Sequence, residues 1–267
     1  MRAKTTTIHR AMLLISLLLL TTPTALLAAT KFEHLEGSPD LRSASALVTG
    51  AGGEVIYGKD IDTVRPIASI TKLMTAMVIL DAGLDLTAPI TVTRADRDLV
   101  QLTGSRLEYG ATLSRREMIL LSIMSSENRA ATALGRTWPD GADAFVRQMN
   151  AKAAELGMAQ SRFADPAGLR VENQSTARDL GRMVAAARTY PLIREASTTR
   201  RLEVRPYSNR GPLHYNNTNR RLKNKNWDIA LSKTGYINES GRCLVMQANI
   251  EGEAVCIVLL DSFGKLT

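Results

Sequence analysis

Two side chains near the start of one apolar stretch could form a nucleophile and its base. Between Pro66 and Leu80, apolar residues recur at the spacing of one buried helix face: Ile70, Leu73, Met74, Met77 and Leu80. Ser69 and Lys72 are three residues apart near the start of this helix, so both project from the same side. A hydroxyl becomes a useful nucleophile when a base takes its proton, and a desolvated neutral lysine can do so. The pair indicates covalent catalysis.

The S-x-x-K spacing alone does not establish covalent catalysis. A second copy, Ser262 and Lys265, lies near the C-terminus. An amphipathic core helix with a polar first turn would also explain the first copy. Further segments are needed to choose between the two explanations.

Two later segments carry polar groups suited to a cleft. Ser126 and Asn128 follow an apolar helix, where the hydroxyl can relay a proton to a leaving amine and the amide can bind a peptide group. Lys233, Thr234 and Gly235 end a strand, where the lysine and the hydroxyl suit a carboxylate or carbonyl and the glycine permits close approach. A helix cap and a solvent-facing strand end are the structural alternatives. The three motifs in this order predict a serine acyl-transfer site.

The order of the predicted elements indicates how these motifs are positioned. Apolar stretches on either side of the glycine-rich residues 50–53 predict a hairpin. Periodicity and capping signals predict helices at about 69–82, 118–124 with a capping box at 114–117, 127–136, 141–156 and 176–189. The last of these is predicted to open with a cap at Thr176 and to end before Pro191. Strands are predicted near 199–205, 229–236, 243–250 and 254–260. A sheet built from both chain ends, with a helical lobe inserted between them, accounts for this order.

Residues 1–29 are typical of a secretory signal peptide. Arg2, Lys4 and Arg10 precede an apolar run, 12–20, which is short for a membrane span. Export to the periplasm is expected, with an uncleaved anchor as the alternative and residues 30–42 as a polar lead-in. Without the leader, the net charge of +8 falls to +5. Aromatic residues make up 4% of the chain and nucleic-acid motifs are absent, which argues against nucleic-acid binding. Mild basicity suits an anionic envelope polymer, or simply solubility.

Cys243 and Cys256 are expected to remain unpaired. A tight turn at residues 251–252 places Cys256 opposite Gln247, four residues from Cys243 and therefore about 14 Å away along the strand. Bridged cysteines need Cα atoms within about 7 Å. We predict free, buried thiols. After the leader only His34 and His214 remain, without metal-ligand spacing, so neither a metal nor another cofactor is expected.

Together the three motifs resemble those of the low-molecular-mass penicillin-binding proteins. The closest resemblance is to their D-alanyl-D-alanine endopeptidase branch, the penicillin-binding protein 7 type, from about residue 40 to the C-terminus. Glu127 and Arg129, with Arg242 and Cys243, fit that branch better than the D-Ala-D-Ala carboxypeptidases. The segments that carry the resemblance are 69–76, 80–83, 126–131, 217–219, 233–236 and 241–246.

The resemblance implies a fold and a substrate. The fold would be α+β, with an antiparallel five-stranded sheet flanked by helices and an inserted helical lobe, in a DD-peptidase domain over residues 43–267. The substrate would be peptidoglycan stem peptides and their cross-links, with β-lactams as covalent inhibitors. Relatives continue into a C-terminal helix that packs on the sheet, so we expect either a truncated chain or another cover for the apolar strand 254–260. The C-terminal amphipathic anchor of the carboxypeptidases is absent as well, so tight membrane attachment is not expected.

The resemblance also implies roles for the motif residues. Ser69 would attack the D-alanyl carbonyl and Lys72 would be the general base, with a pKa well below about 10.4 because of desolvation and the charge of Lys233. The oxyanion would lie between the backbone N–H groups of Ser69 and Tyr236. Ser126 would pass a proton to the departing amine. The substrate would be held by Asn128, Lys233 and Thr234.

Three alternatives remain open beside the endopeptidase. A D-Ala-D-Ala carboxypeptidase would use the same residues. A β-lactamase would need an added general base for deacylation, for which Glu172 with Asn173 is the one suggestive pair, although its spacing does not match. A non-catalytic peptidoglycan-binding protein would keep the cleft without turnover.

Overall fold

The first and last strands of the described chain lie side by side in one antiparallel sheet. The structure is a computed structural model that describes Phe32 and residues 39–264. In chain order the strands are β1 (Ser43–Thr49), β2 (Val55–Lys59), β3 (Arg65–Pro66), β4 (Pro89–Thr91), β5 (Thr112–Ser114), β6 (Gln174–Ser175), β7 (Arg201–Val204), β8 (Leu213–Asn216), β9 (Asp228–Ile237), β10 (Gly241–Ile250) and β11 (Glu253–Ser262). The main sheet has the order β2-β1-β11-β10-β9, which leaves β9 at an edge. The five-stranded antiparallel sheet is therefore confirmed.

The helices form the inserted lobe between β2 and β9. They are α1 (Thr71–Asp81), α2 (Arg115–Met124), α3 (Asn128–Arg136), α4 (Gly141–Glu155), α5 (Ala177–Ala187) and α6 (Pro191–Thr198), with single 3₁₀ turns at Ala68–Ile70, Arg94–Asp96 and Arg220–Lys223. The capping box before α2 is confirmed, because Ser114 Oγ accepts from the Glu117 N–H at 3.2 Å and the Glu117 carboxylate accepts from the Ser114 N–H at 2.9 Å. Thr176 caps α5 in the predicted way.

Helix α6 and the short strands β3, β4, β5, β6 and β8 were not predicted from the sequence. Pro191 was interpreted as the end of a helix, yet it is the first residue of α6. Proline is well suited to that position, since its fixed φ favours the helix and its missing N–H would have had no helical partner there. Strand β8 pairs with β7 as a small hairpin that the sequence pattern did not indicate.

Helix α1 is buried on all sides, so the prediction of a single buried face is wrong. Residues 71–79 are all buried, including the polar Thr71, Lys72 and Thr75. The reason is position: α1 packs against α2, α3, α4, α5 and α6. Polar groups on such a helix need partners inside the protein, and Thr75 Oγ1 donates to the carbonyl of Pro166 at 2.6 Å.

The register between β10 and β11 explains why the two cysteines do not form a disulfide bond. Ile250 lies opposite Glu253 and Gln247 lies opposite Cys256, as predicted, while Cys243 faces Gly235 on β9. Both cysteines are free. Only Cys243 is fully buried, whereas Cys256 is half-buried, which corrects part of the prediction.

The centre of β11 is buried on both faces. Val258 and Leu260 face the helical core, and Val255 and Leu259 on the opposite face are also buried. This matches the two-sided apolar sequence of the strand.

Several predictions fall outside the described residues. They concern the leader at 1–29, most of the lead-in at 30–42 and Lys265 of the second S-x-x-K. Within the described part of the chain, no helix combines the length and apolar character needed to cross a membrane.

Candidate active site

Ser69 lies in a tight turn that is held from two sides. The turn is the 3₁₀ segment that leads into α1, and Ala68 before it adopts the left-handed φ of +46°. Gly168, with φ of +74°, packs so closely that a Cβ there would lie 2.0 Å from the Ala68 carbonyl oxygen. On the other side, a Cβ on Gly235 would lie 2.9 Å from the Ile67 carbonyl oxygen and 3.2 Å from the Ser69 nitrogen. Glycine at 235 therefore leaves space beside the Ser69 N–H.

The amine of Lys72 has three oxygen neighbours. Its Nζ lies 2.6 Å from Ser69 Oγ, 2.8 Å from Asn128 Oδ1 and 2.6 Å from the Ala167 carbonyl oxygen. A neutral amine has two N–H donors and one lone pair. The two acceptors take the donors, which leaves the lone pair for the Ser69 hydroxyl. This geometry suits a general base.

Burial lowers the pKa of Lys72 to about 7, because the charged amine loses its hydration in the protein interior. The carboxylates of Asp165, Glu127 and Asp98 act in the opposite direction and raise it. The predicted lowering is confirmed in direction and in its desolvation cause, while the charge of Lys233 is not among the groups that shift this pKa. Its main cause is burial, and a substantial fraction of Lys72 is neutral near pH 7.

Ser126 and Lys233 form the second half of the cluster. Ser126 occupies the break between α2 and α3 with a φ of +58°. Lys233 Nζ donates to Ser126 Oγ at 3.0 Å and to the Thr234 carbonyl at 2.7 Å. Thr234 Oγ1 donates to Thr218 Oγ1 at 2.7 Å. Tyr236, two residues further along β9, is exposed.

Burial also lowers the pKa of Lys233, and the positive charge of Lys72 lowers it further. Within the described residues, no carboxylate lies within 4 Å of its amine. The positive charge expected for Lys233 is thus disfavoured before a ligand arrives. An anionic ligand would favour it again.

Several groups at the site were not found from the sequence. The Ala167 carbonyl belongs to a loop organised by Asp165, whose carboxylate accepts four consecutive backbone N–H groups, those of residues 167–170, and the Asn173 side chain. Thr103 Oγ1 accepts from Asn128 Nδ2 at 2.8 Å. The run Asp-Pro-Ala-Gly at 165–168 is a turn signal that could have drawn attention to this loop.

The carboxylate that a β-lactamase would require is not in place. Glu172 is exposed, while its neighbour Asn173 is buried against Asp165. Within residues 39–264, no carboxylate oxygen forms a hydrogen bond with Ser69 or Lys72.

The profile of peptidase family S11, described as D-alanyl-D-alanine carboxypeptidase, matches residues 33–264. The chain belongs to this family. Among S11 relatives, the D-alanyl-D-alanine endopeptidase of Pseudomonas aeruginosa is 48% identical over 229 residues, which cover 85% of this chain and 74% of the relative. The enzyme of the same name from Escherichia coli is 44% identical over 242 residues, 90% and 78% of the two chains.

Solved structures support the same family. The Streptomyces K15 DD-transpeptidase has a TM-score of 0.79 and 27% identity, covering 86% of this chain and 93% of its own. A D-alanyl-D-alanine carboxypeptidase from Mycobacterium tuberculosis has a TM-score of 0.79 and 27% identity, covering 87% and 88%. The S11 chain is thus a serine peptidase of the penicillin-binding protein class with the DD-peptidase fold.

Proposed function

We propose that this S11 enzyme is a D-alanyl-D-alanine endopeptidase that hydrolyses the peptide cross-links of peptidoglycan through an acyl-enzyme on Ser69. The observation that carries the proposal is the cluster in which Lys72 Nζ contacts Ser69 Oγ, Asn128 Oδ1 and a backbone carbonyl at 2.6–2.8 Å. The names of the two relatives above 40% identity support the endopeptidase over other members of the family.

Acylation begins when neutral Lys72 takes the proton of Ser69, whose Oγ attacks the D-alanyl carbonyl carbon. The carbonyl oxygen becomes an oxyanion between the backbone N–H groups of Ser69 and Tyr236. Ser126 then gives a proton to the departing amine and recovers one from Lys233, which lies 3.0 Å away. The C–N bond breaks and leaves an ester on Ser69.

The remaining groups hold the peptide. Asn128 binds a peptide group on the acyl side, and Thr234 with Lys233 binds the carboxylate next to the departing amine. A bound carboxylate stabilises the ammonium form of Lys233 and raises its pKa again. Lys233 is thereby protonated when it is needed as a proton source. Water finally hydrolyses the ester.

β-Lactams follow the first half of this path. They acylate Ser69, and the absence of a carboxylate at Ser69 or Lys72 within the described residues supports a slow release. A persistent adduct argues for a penicillin-binding peptidase and against a β-lactamase. A non-catalytic binding protein would not need the fully buried Lys72.

Location and domain limits are part of the proposal. Residues 1–29 would direct export to the periplasm, residues 30–42 would be a lead-in, and residues 43–267 would form the peptidase domain. The basic and apolar pattern of the leader supports export.

Digestion of isolated peptidoglycan tests the function. The enzyme is expected to convert cross-linked dimeric muropeptides into monomers without releasing free D-alanine from pentapeptides. Release of D-alanine with the dimers left intact would assign the carboxypeptidase instead. Ser69→Ala is expected to abolish either product, and unchanged dimers with the wild-type enzyme would contradict the proposal.

A further inference from the structure

A buried aspartate that the mechanism above does not use lies in the loop between β4 and β5. Asp98 is 6% exposed, and its Oδ1 accepts from the backbone N–H groups of Val100 and Gln101, each at 2.9 Å. Its Oδ2 accepts from the Thr103 N–H at 2.9 Å and from Thr103 Oγ1 at 2.6 Å. Among the described residues, no lysine or arginine lies within 4 Å of this carboxylate. Hydrogen bonds, and not an ion pair, therefore hold its charge.

Asp98 is ionised despite its burial. Burial acts to raise the pKa of this carboxyl, because the charged form loses its hydration in the interior. The hydrogen bonds from Thr103, Gln101 and Val100 act in the opposite direction and outweigh burial, so the pKa lies below its usual value. An ionised carboxylate can only accept hydrogen bonds. The bond from Thr103 Oγ1 therefore commits the single hydroxyl proton of Thr103 to Asp98.

This commitment determines how the amide of Asn128 is oriented. With its proton on Asp98, Thr103 Oγ1 can only accept from other groups. It accepts from Asn128 Nδ2 at 2.8 Å, and the amide oxygen Oδ1 then lies 2.8 Å from Lys72 Nζ. Turning the amide over would set two oxygens against each other at Thr103. The chain from Asp98 through Thr103 to Asn128 therefore has one favourable direction.

We propose that Asp98 is a positioning residue for acylation, which acts through Thr103 to hold the oxygen of Asn128 toward Lys72. In this orientation Asn128 takes an N–H from Lys72 and leaves the lone pair of the neutral amine to Ser69 Oγ, at 2.6 Å. The opposite orientation would bring an N–H of Asn128 to that lone pair, where it would compete with the Ser69 hydroxyl. The second N–H of Asn128 Nδ2 stays available for a carbonyl of the bound peptide.

Acylation by benzylpenicillin tests this chain, and the test rests on the proposed function because the drug follows its first half. The readout is the second-order rate constant of adduct formation followed by intact mass, which does not depend on the fraction of folded protein. Thr103→Val removes the acceptor for Asn128 at an exposed position and leaves the side chain nearly the same size. We expect the rate constant to fall about tenfold. Thr103→Ser restores the hydroxyl and is expected to restore the wild-type rate constant.

Asp98→Asn is expected to reverse the chain. Its amide can donate to Thr103, whose hydroxyl proton is then free for the oxygen of a turned Asn128. The rate constant at high pH should fall about tenfold or more. The charges of Asp165, Glu127 and Asp98 raise the pKa of Lys72 against the effect of burial. Loss of one of these charges lowers that pKa, so the acidic limb of the rate profile should move to lower pH.

Asp96→Asn is the matched control. Asp96 is also buried, but its carboxylate accepts from Arg136 and from the Thr93 N–H, outside the chain to Lys72. This variant is expected to lower stability and to keep the rate constant and the pH profile of acylation.

Three outcomes would overturn this inference alone. They are a wild-type rate constant in Thr103→Val, a loss that Thr103→Ser does not restore, and a pH profile that Asp98→Asn and Asp96→Asn share. No adduct on the folded wild-type protein would overturn the proposed function together with the inference.

Discussion

Lys72 shows most clearly what single residues contribute to this enzyme. The sequence places it one helical turn from Ser69, and the structure brings Asn128 and the Ala167 carbonyl to the same amine. The carbonyl could not be predicted from the sequence, because a backbone oxygen has no residue-type signature and this contact spans 95 residues. Desolvation was predicted as one cause of the lowered pKa, but its dominance over the charge of Lys233 could not be, since burial on all sides of α1 depends on the packing of five other helices.

Removing the Lys72 amine is expected to stabilise the protein while it abolishes acylation. Lowering a pKa from 10.5 to about 7 costs up to about 4 kcal/mol at pH 7, and Lys72→Met removes this cost but also loses hydrogen bonds. We expect the free energy of unfolding to rise by on the order of 2 kcal/mol at pH 7. Acylation by benzylpenicillin should fall by about 10²-fold or more.

The pH dependence of the stabilisation by Lys72→Met tests this explanation. Between pH 7 and 10.5 the unfolded chain keeps a proton on Lys72 that the native protein has released, so the wild-type protein becomes more stable as pH rises. The advantage of Lys72→Met should therefore shrink by about 2 kcal/mol between pH 7 and pH 9 in urea titrations. Lys225→Met, at an exposed lysine, should show no such trend. An advantage that grows with pH would contradict the buried-amine account.

At the scale of elements, the Ser69 turn depends on a neighbour that is distant in sequence. Helix limits and caps followed from local patterns, as at Ser114 and Thr176. The loop behind the turn did not, because its shape comes from one carboxylate, Asp165, that gathers successive N–H groups. Helix α6 was missed for a related reason, since Pro191 can end one helix or begin the next and tertiary contacts decide between them.

Gly168→Ala is expected to damage both stability and catalysis. A Cβ at 168 would lie 2.0 Å from the Ala68 carbonyl oxygen, which belongs to the backbone and cannot rotate away. The left-handed φ adds about 1 kcal/mol, so the total loss in urea unfolding should be about 3 kcal/mol or more. Penicillin acylation should slow as well, because the Ser69 turn must shift.

Gly157→Ala is the matched control for this substitution. Gly157 has a similar φ of +69°, but nothing lies within 4 Å of a Cβ there. Gly157→Ala should lower the free energy of unfolding only by the conformational cost of about 1 kcal/mol, and it should acylate at the wild-type rate. Equal effects of the two substitutions would show that Gly168 does not support the turn.

At the scale of the molecule, the sheet joins the two ends of the described chain. The five strands and the inserted lobe could be predicted because strand patterns lie at both ends and helix patterns between them. The burial of α1 on all sides could not be predicted, because it depends on how all the other helices pack around it.

The register of the sheet predicts two free thiols that react slowly. Burial raises the pKa of both Cys243 and Cys256 to about 11, so little thiolate is present near pH 8. Iodoacetamide should label the native protein slowly, with Cys243 the slower site. Two labels per chain should appear in urea without reductant. A chain that accepts no label until it is reduced would show a disulfide and a wrong register.

The nucleophile is the central claim, and intact mass after addition of benzylpenicillin tests it most directly. The wild-type protein should gain one drug molecule and keep it, and Ser69→Ala should gain none. Ser262→Ala is the matched control, because Ser262 begins the other S-x-x-K, and its hydroxyl lies 2.6 Å from Ser43 Oγ. It should acquire the adduct as the wild-type protein does. An adduct that persists in folded Ser69→Ala, or its absence from the folded wild-type protein, would contradict the account.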